Sequence, residues 1–210
     1  DIVVYLGQGF QPAVETAVLQ SSSTSMDGMT FVDDEVLLSG DPHVWLDPEQ
    51  MAAMGDALAE QLAAVDPEHA DVFLSNAASL RGELEEIDEE YRVALSECTG
   101  VSFVTSHEAF GYMAQAYGLN QVGVMGVNPD AEPSPKRLRE LEKVVEETGA
   151  TTLFFEAQTA SDTEEKMADA LSLKVGHLET LESAPTSADD YLGALRVNLE
   201  SLREGLDCAK

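Results

Sequence analysis

The sequence predicts an α/β protein in which parallel sheets are flanked by helices. Three observations indicate it. From residue 101 onward, short apolar runs alternate strictly with amphipathic stretches, as in successive β–α units. A separate apolar run at residues 2–6 predicts a further strand, and one long amphipathic stretch occupies residues 67–97. A single long helix of this kind could serve as a stiff strut between two lobes.

The N-terminal part is predicted to begin with a strand at residues 2–6 and to continue with a short helix over Pro12–Leu19. The polar run Ser21–Ser25 predicts a loop. A strong helix start follows at Asp47-Pro48-Glu49-Gln50, with a capping aspartate, proline at the first helical position and glutamine at the third. Because the chain opens inside an element and without a signal peptide, we expect residues upstream to be absent and this lobe to be incomplete.

A second helix, predicted to start at Asp66-Pro67, is the longest element. Its apolar residues alternate spacings of three and four; they are Phe73, Ala77, Leu80, Leu84, Ile87, Tyr91 and Ala94. Its many glutamates fit a solvated face better than a metal cluster. The predicted domains are 1–66, the remainder of an N-terminal α/β lobe; 67–97, the linking helix; and 98–210, a C-terminal α/β lobe.

The C-terminal part alternates strands and helices. Strands are predicted at Val101–Thr105, Gln121–Met125, Thr151–Phe155 and Leu173–Leu178. Helices are predicted at His107–Tyr117, Pro135–Thr148, within Asp162–Leu171, and over Leu192, Leu195, Leu199, Leu202 and Leu206. Units of this length indicate a parallel sheet with helices packed on its faces.

The charge balance is strongly acidic. The chain has 11 Lys+Arg against 40 Asp+Glu, a formal net charge of −29. Such a field repels phosphate backbones, so nucleic acid is excluded as a partner. The charge itself fits a solvated acidic surface that aids solubility, and we expect a monomer.

The two cysteines, Cys98 and Cys208, form no Cys-x-x-Cys motif, which argues against a zinc ribbon or a thioredoxin-like site. A disulfide between them would pin the last helix to the domain and stabilise it by roughly 4–5 kcal/mol in the chain-entropy model. Two buried thiols are the alternative. We predict the bridge, which would place the protein in an oxidising compartment.

The candidate site residues follow the predicted strands of the C-terminal sheet, because ligands of parallel sheets bind outside the carboxyl ends of the strands. His107 lies two positions past one strand, Glu156 directly follows another, and Glu179 and Glu182 follow a third. His43 precedes a helix in the N-terminal part. Imidazole is the commonest metal ligand in proteins, so these residues predict a metal site.

Each candidate also has a structural interpretation. His43 could help to cap its helix, and His107 could bond locally at a helix N-terminus. Glu156 could be a hydrogen-bond partner of a ligand or could hold the loop containing Gln158. Two further histidines, His69 and His177, are weaker candidates: the first is predicted to be exposed and the second lies within the last strand.

Five motifs resemble the metal-binding solute-binding proteins of bacterial zinc and manganese ABC uptake transporters, and the zinc branch in particular. Asp41-Pro-His-Val-Trp-Leu-Asp-Pro48 resembles that family's second-ligand motif, and Thr105-Ser-His-Glu-Ala-Phe-Gly-Tyr112 its third-ligand motif. Weaker similarities lie at Glu132–Pro135, Phe154–Gln158 and Leu178–Glu182. The first two motifs together are highly specific, and the resemblance runs over essentially the whole chain in family order.

The resemblance implies an extracytoplasmic protein, periplasmic or membrane-anchored at the cell surface, that captures a divalent metal and delivers it to an ABC permease. It implies metal ligation by His43, His107 and a carboxylate, with Glu182 preferred over Glu179. A histidine at position 107, where manganese-binding relatives place an acid, favours zinc over manganese. The family's first ligand histidine would precede residue 1, and the His-rich loop of some zinc-binding members is missing, so the chain could supply three of four ligands.

Two other classes of function stay open. Three protein ligands plus water would also suit a zinc hydrolase, although the chain contains no His-Glu-x-x-His motif to supply a general base. An adhesion or interaction protein could instead use the acidic surface. Hydrolytic turnover that depends on His107 would support the first, and partner binding that survives loss of both histidines would support the second.

Overall fold

The computed structural model describes residues 2–33, 35–98, 100–125, 135–157 and 162–207. It confirms the predicted α/β class. The strands are β1 Ile2–Tyr5, β2 Thr24–Asp27, β3 Ser102–Thr105, β4 Asn120–Gly123, β5 Thr152–Glu156 and β6 Lys174–Leu178. The helices are α1 Pro12–Gln20, α2 Pro48–Val65, α3 Ala70–Ala94, α4 Gly111–Ala116, α5 Pro135–Thr148, α6 Asp162–Leu171 and α7 Tyr191–Leu206.

The chain divides into two compact units, residues 1–88 and 89–210. The division falls inside the long helix α3, which therefore contributes residues to both units. The three domains predicted from the sequence place the boundaries on either side of that helix, and they stay a prediction. Within the described ranges, no helix combines the length and the apolar character needed to cross a membrane.

The first unit contains a two-stranded parallel sheet, in which Ile2 pairs with Thr24 and Tyr5 with Asp27. The loop predicted at Ser21–Ser25 is therefore wrong at its end, because Thr24 and Ser25 belong to β2. Pairing with β1 and burial of Met26, which is 4% exposed, outweigh the low strand propensity of a serine-rich run.

The predicted start of α2 is confirmed. The carboxylate of Asp47 accepts hydrogen bonds from the backbone N–H groups of Glu49 and Gln50, at 2.9 and 3.3 Å, and Pro48 occupies the first turn. Asp47 is buried, and burial raises the pKa of its carboxyl group, whereas the two hydrogen bonds lower it. The effect of burial is larger, so the pKa is about 6.

The second unit contains a four-stranded, all-parallel sheet in the order β4-β3-β5-β6. Helices α5 and α6 supply part of the apolar layer on one face, which comprises Val104, Val124, Leu141, Leu153, Phe155, Ala168, Leu171 and Leu173. On the other face the ring of Phe154 meets Phe103 edge-on, at a centroid distance of 6.1 Å, and contacts Gly205 of α7. Neighbouring residues of β5 thus serve opposite faces of the sheet.

Helix α3 is fixed in the second unit by a buried tyrosine. The hydroxyl of Tyr91 donates a 2.6 Å hydrogen bond to the backbone carbonyl of Leu195 in α7, and its ring stacks on Tyr117 at 4.8 Å. Cys98 is buried in a short 3-10 helix just after α3. Cys208 lies outside the described residues, so the predicted bridge stays a prediction.

Candidate metal site

The carboxyl ends of β3, β5 and β6 lie at one edge of the second sheet, because its four strands are parallel. His107 follows β3, Glu156 is the last residue of β5, and Glu182 lies in the loop after β6. The structure brings the side chains of these three residues together. The sequence-based placement at this edge of the sheet therefore agrees with the geometry.

The imidazole of His107 is buried between two carboxylates. Its side chain is 1% exposed, Nδ1 lies 2.9 Å from Glu156 Oε1, and Nε2 lies 3.5 Å from Glu182 Oε1. The Glu156 carboxylate selects the tautomer in which Nδ1 carries the proton and donates it. The buried Nε2 atom makes no hydrogen bond within the described residues. The Nε2 atom faces the Glu182 carboxylate, an arrangement that a cation between the two atoms would make favourable.

The separation between these two atoms suits a zinc ion. Zinc binds imidazole nitrogen at about 2.0–2.1 Å and carboxylate oxygen at about 2.0–2.2 Å, so two ligand atoms of a tetrahedral site are about 3.4 Å apart. The observed separation of Nε2 and Oε1 is 3.5 Å. The second unit thus offers one nitrogen and one oxygen at the spacing that a single zinc ion requires.

The backbone of His107 is held by side chains rather than by a helix. The predicted helix start at His107 is wrong, because α4 begins at Gly111. The carbonyl of His107 accepts hydrogen bonds from Thr105 Oγ1 at 2.6 Å and from Gln121 Nε2 at 3.2 Å. Backbone bonds from Ser106 N to Phe154 O and from Met125 N to Ser106 O extend the sheet contacts past β3, which delays the helix.

Glu179 is the alternative carboxylate ligand, but its side chain is occupied by hydrogen bonds within its own loop. It is 2% exposed, and its Oε1 atom accepts bonds from the backbone N–H and the hydroxyl of both Thr186 and Ser187. Burial acts to raise the pKa of this carboxyl, but the four hydrogen bonds outweigh it and hold the pKa below its usual value. The geometry therefore favours Glu182 as the carboxylate beside His107.

His43 lies in the first unit, where it is buried at 2% exposure. Asp41 Oδ1 accepts a hydrogen bond from its backbone N–H at 3.0 Å and lies 2.7 Å from its Nδ1. His43 precedes the short helix Val44–Leu46 but makes no side-chain cap there, so the capping interpretation is not supported. As with His107, a carboxylate at Nδ1 selects the tautomer whose Nε2 lone pair can bind a metal.

The remaining candidates lie elsewhere. His69 is exposed and pairs with Asp66 at 2.8 Å, and His177 is exposed on β6. Gln158 and residues 132–134 lie outside the described residues. The contacts of Asp41, Thr105 and Gln121 with the two histidines were not predicted from the sequence. Asp41 carried a signal, since it lies two positions before His43. The contact of Gln121 with His107 joins β4 to the segment after β3, 14 positions away, and has no local pattern.

Comparisons with known proteins agree on one family. The sequence model of the ZnuA family, described as zinc-uptake complex component A, periplasmic, matches residues 1–205. The zinc-binding protein AdcA of Streptococcus pyogenes serotype M6 is 40% identical over 173 residues, which cover 80% of this chain and 34% of AdcA. The chain thus spans about a third of the length of the curated relatives that it matches first.

Solved structures agree with the sequence matches. The laminin-binding protein of Streptococcus agalactiae, described as bifunctional with adhesin and metal-transporting activity, has a TM-score of 0.87 and 32% identity, covering 99% of this chain and 80% of that one. The zinc-bound ZnuA-like domain of Streptococcus pneumoniae AdcA has a TM-score of 0.83 and 29% identity, with the same coverages of 99% and 80%. With its family match over nearly its full length, this chain belongs to the ZnuA family.

Proposed function

We propose that this chain is the extracytoplasmic metal-binding component of an ABC importer, which captures zinc and delivers it to a membrane permease. The description of its family as a periplasmic zinc-uptake component supports this role. The zinc-bound state of a structural neighbour supports zinc as the ion. Binding and release suffice for such a role, and no chemical step is proposed.

The observation that carries the proposal is the pairing of His107 Nε2 with Glu182 Oε1 at 3.5 Å, with Glu156 at the opposite ring nitrogen. A neutral imidazole oriented by a carboxylate is the usual form of a zinc-ligating histidine. Imidazole with a single carboxylate suits zinc better than manganese, which prefers sites richer in oxygen.

We further propose that His43 joins His107 and Glu182 as a ligand. Its support is its own local geometry: Asp41 orients its ring as Glu156 orients that of His107. Both histidines are almost completely buried. Nitrogen from two histidines and oxygen from one glutamate would give three of the four ligands of a tetrahedral site.

Calorimetric titration with zinc tests the proposal. Loss of a residue that only hydrogen-bonds to a metal ligand typically weakens metal binding about 10–100-fold. His107→Ala and His43→Ala each remove a proposed ligand itself, so each should weaken zinc binding by more than this. Glu182→Gln should weaken it as well. His69→Ala is the matched control, because His69 is exposed and lies far along the chain from the other two. Unchanged affinity in His107→Ala would contradict the proposal.

Adhesion is a second candidate, favoured by the similarity to a protein described as laminin-binding. The same variants separate the two functions. A surface that binds an extracellular matrix protein would keep its affinity in His43→Ala and His107→Ala, whereas zinc capture would not. Laminin binding by the wild-type chain, measured by surface plasmon resonance with and without zinc, would support this second function.

A further inference from the structure

The loop that follows β6 carries Glu182 and has no helix or strand of its own between residues 179 and 190. Four hydrogen bonds of this loop converge on one side-chain atom. Glu179 Oε1 accepts hydrogen bonds from Thr186 N at 2.9 Å, Thr186 Oγ1 at 2.9 Å, Ser187 N at 2.9 Å and Ser187 Oγ at 2.6 Å. These bonds close the loop between residues 179 and 187, with Glu182 inside the closed segment.

The start of the same loop is fixed to helix α7. Asn198, which is 3% exposed, accepts a 2.7 Å hydrogen bond from the backbone N–H of Glu179 and donates a 2.8 Å bond to the Glu179 carbonyl. Both backbone groups of Glu179 are therefore bound to one amide side chain. The carboxylate of Glu179 thus projects from a fixed point, and the loop closes onto it.

One residue of the loop, Leu181, has a backbone conformation that is unfavourable for leucine. Leu181, directly before Glu182, has φ of +59°, in the left-handed region that costs free energy for a residue with a branched side chain. Such a conformation persists only when surrounding contacts enforce it. The four bonds to Glu179 are contacts of that kind, and they enclose Leu181.

We infer that Glu179 is a positioning residue, whose carboxylate closes the loop that holds Glu182 beside His107. This inference rests on the proposed function for the part that concerns metal, and on the loop geometry alone for the part that concerns closure. An ionised carboxylate is needed, because one oxygen receives four donors and a neutral amide oxygen is a weaker acceptor. By sequence alone Glu179 and Glu182 are alternative ligands, whereas in this arrangement Glu179 positions Glu182.

Hydrogen exchange on the metal-free protein tests the closure directly. Glu179→Gln should speed deuterium uptake in the segment 180–187, and so should the double variant Thr186→Val with Ser187→Ala, which removes two donors but keeps the charge. Glu204→Gln, an exposed charge removal in α7, is the matched control and should change nothing in this segment. Unchanged uptake in both loop variants would overturn the inference whether or not the chain binds zinc.

A double-mutant cycle with zinc tests whether Glu179 acts through Glu182. Glu179→Gln should weaken zinc binding about tenfold or more in the wild-type background, the range typical of residues behind a ligand. In a Glu182→Gln background the same change should cost no more than about twofold, because the residue that it positions is gone. Equal loss in both backgrounds would assign Glu179 a general electrostatic role and overturn the inference.

The two variants that act on the loop also separate positioning from charge. If only Glu179→Gln lowers the affinity, while Thr186→Val with Ser187→Ala does not, the loss comes from the missing negative charge and the inference fails. If the wild-type chain binds no zinc, the proposed function fails, and hydrogen exchange still decides whether Glu179 closes the loop.

Discussion

Each of the two buried histidines is paired with a carboxylate through Nδ1, at 2.7 Å for His43 with Asp41 and 2.9 Å for His107 with Glu156. The carboxylate turns the ring, fixes its tautomer and increases the electron density available at Nε2. At the scale of the residue, metal affinity should therefore depend on side chains that never touch the ion.

Glu156→Gln gives the first prediction. The amide can still accept a hydrogen bond from Nδ1, but it lacks the negative charge, so zinc affinity should fall about 10–100-fold while the fold is kept. Calorimetry measures the change, and Glu204→Gln controls for the loss of one charge in the same unit. Wild-type affinity in Glu156→Gln would show that the pair with His107 does not support metal binding.

Asp47 gives a pH-dependent prediction for the first unit. Its pKa is raised by burial from 3.8 to about 6 in the folded protein, so the folded state favours the protonated form. The associated stability is fully present below the unfolded value and is lost as the pH rises through about 6. The asparagine in the Asp47→Asn variant does not titrate, so this variant does not lose that stability. The free energy of unfolding of the variant, relative to that of wild type, should therefore increase by up to about 3 kcal/mol between about pH 4 and about pH 7.

Urea unfolding in EDTA, repeated across that pH range, measures the difference for Asp47→Asn. Asp190→Asn, which alters the exposed N-cap of α7, is the control for replacing a capping carboxylate by an amide. A difference between Asp47→Asn and wild type that stays constant with pH would contradict the assignment of the burial cost to Asp47.

The residues that could be predicted from the sequence are those with a local signal. His43 and His107 lie in motifs, and Asp47 lies three positions before a glutamine at a helix start. Glu179 could be identified as a candidate from the sequence, but its hydrogen bonds could not be predicted. Its partners, Thr186 and Ser187, are seven and eight positions away in an irregular loop. Helical and strand periodicities do not predict contacts of this kind.

At the scale of the element, the strand–helix alternation was predictable because apolar periodicity marks both kinds of element. Two predicted boundaries are wrong. Residues 24 and 25 form part of a strand because they pair with β1. Helix α4 begins only at Gly111, after a segment in which Ser106 is bonded to β5 and the carbonyl of His107 to Gln121 of β4. Tertiary pairing of this kind overrides local preference and leaves no mark in the sequence.

Helix α7 packs so closely on the sheet that a glycine is required. A Cβ atom on Gly205 would overlap the ring of Phe154. A Cβ atom on Gly176 of β6 would also come too close to this ring, at 2.8 Å from its Cδ1 atom. Gly205→Ala should therefore destabilise the protein by about 1–3 kcal/mol through overpacking. The midpoint of urea unfolding measures the effect.

Gly82→Ala is the matched control for Gly205→Ala. Gly82 also lies inside a helix, but a Cβ atom there would meet nothing within 4 Å. The same substitution should then stabilise the protein by about 0.5–1 kcal/mol through helix propensity alone. Two shifts of the same sign would show that packing on Phe154 does not decide the effect at Gly205.

At the scale of the whole molecule, the formal charge of −29 is the dominant property. Its consequences were predictable without a structure, because they depend on net charge rather than on placement. Mutual repulsion of acidic side chains opposes the compact state, and the same field concentrates cations around the protein. Salt should weaken both effects, since the Debye length shrinks from about 30 Å at about 0.01 M to about 8 Å at about 0.15 M.

The thermal unfolding midpoint of the metal-free protein should therefore rise as sodium chloride is added. Each kcal/mol of relieved repulsion corresponds to about 2–4 °C for a chain of this size, so a rise of several degrees is expected. Most of it should occur below about 0.2 M, where screening changes fastest, whereas salting-out of apolar surface acts at higher concentrations. Calorimetric scans in EDTA with sucrose as an uncharged control separate the two causes. An unfolding midpoint that does not change with salt below about 0.2 M would mean that repulsion among the acidic groups does not measurably destabilise the folded protein.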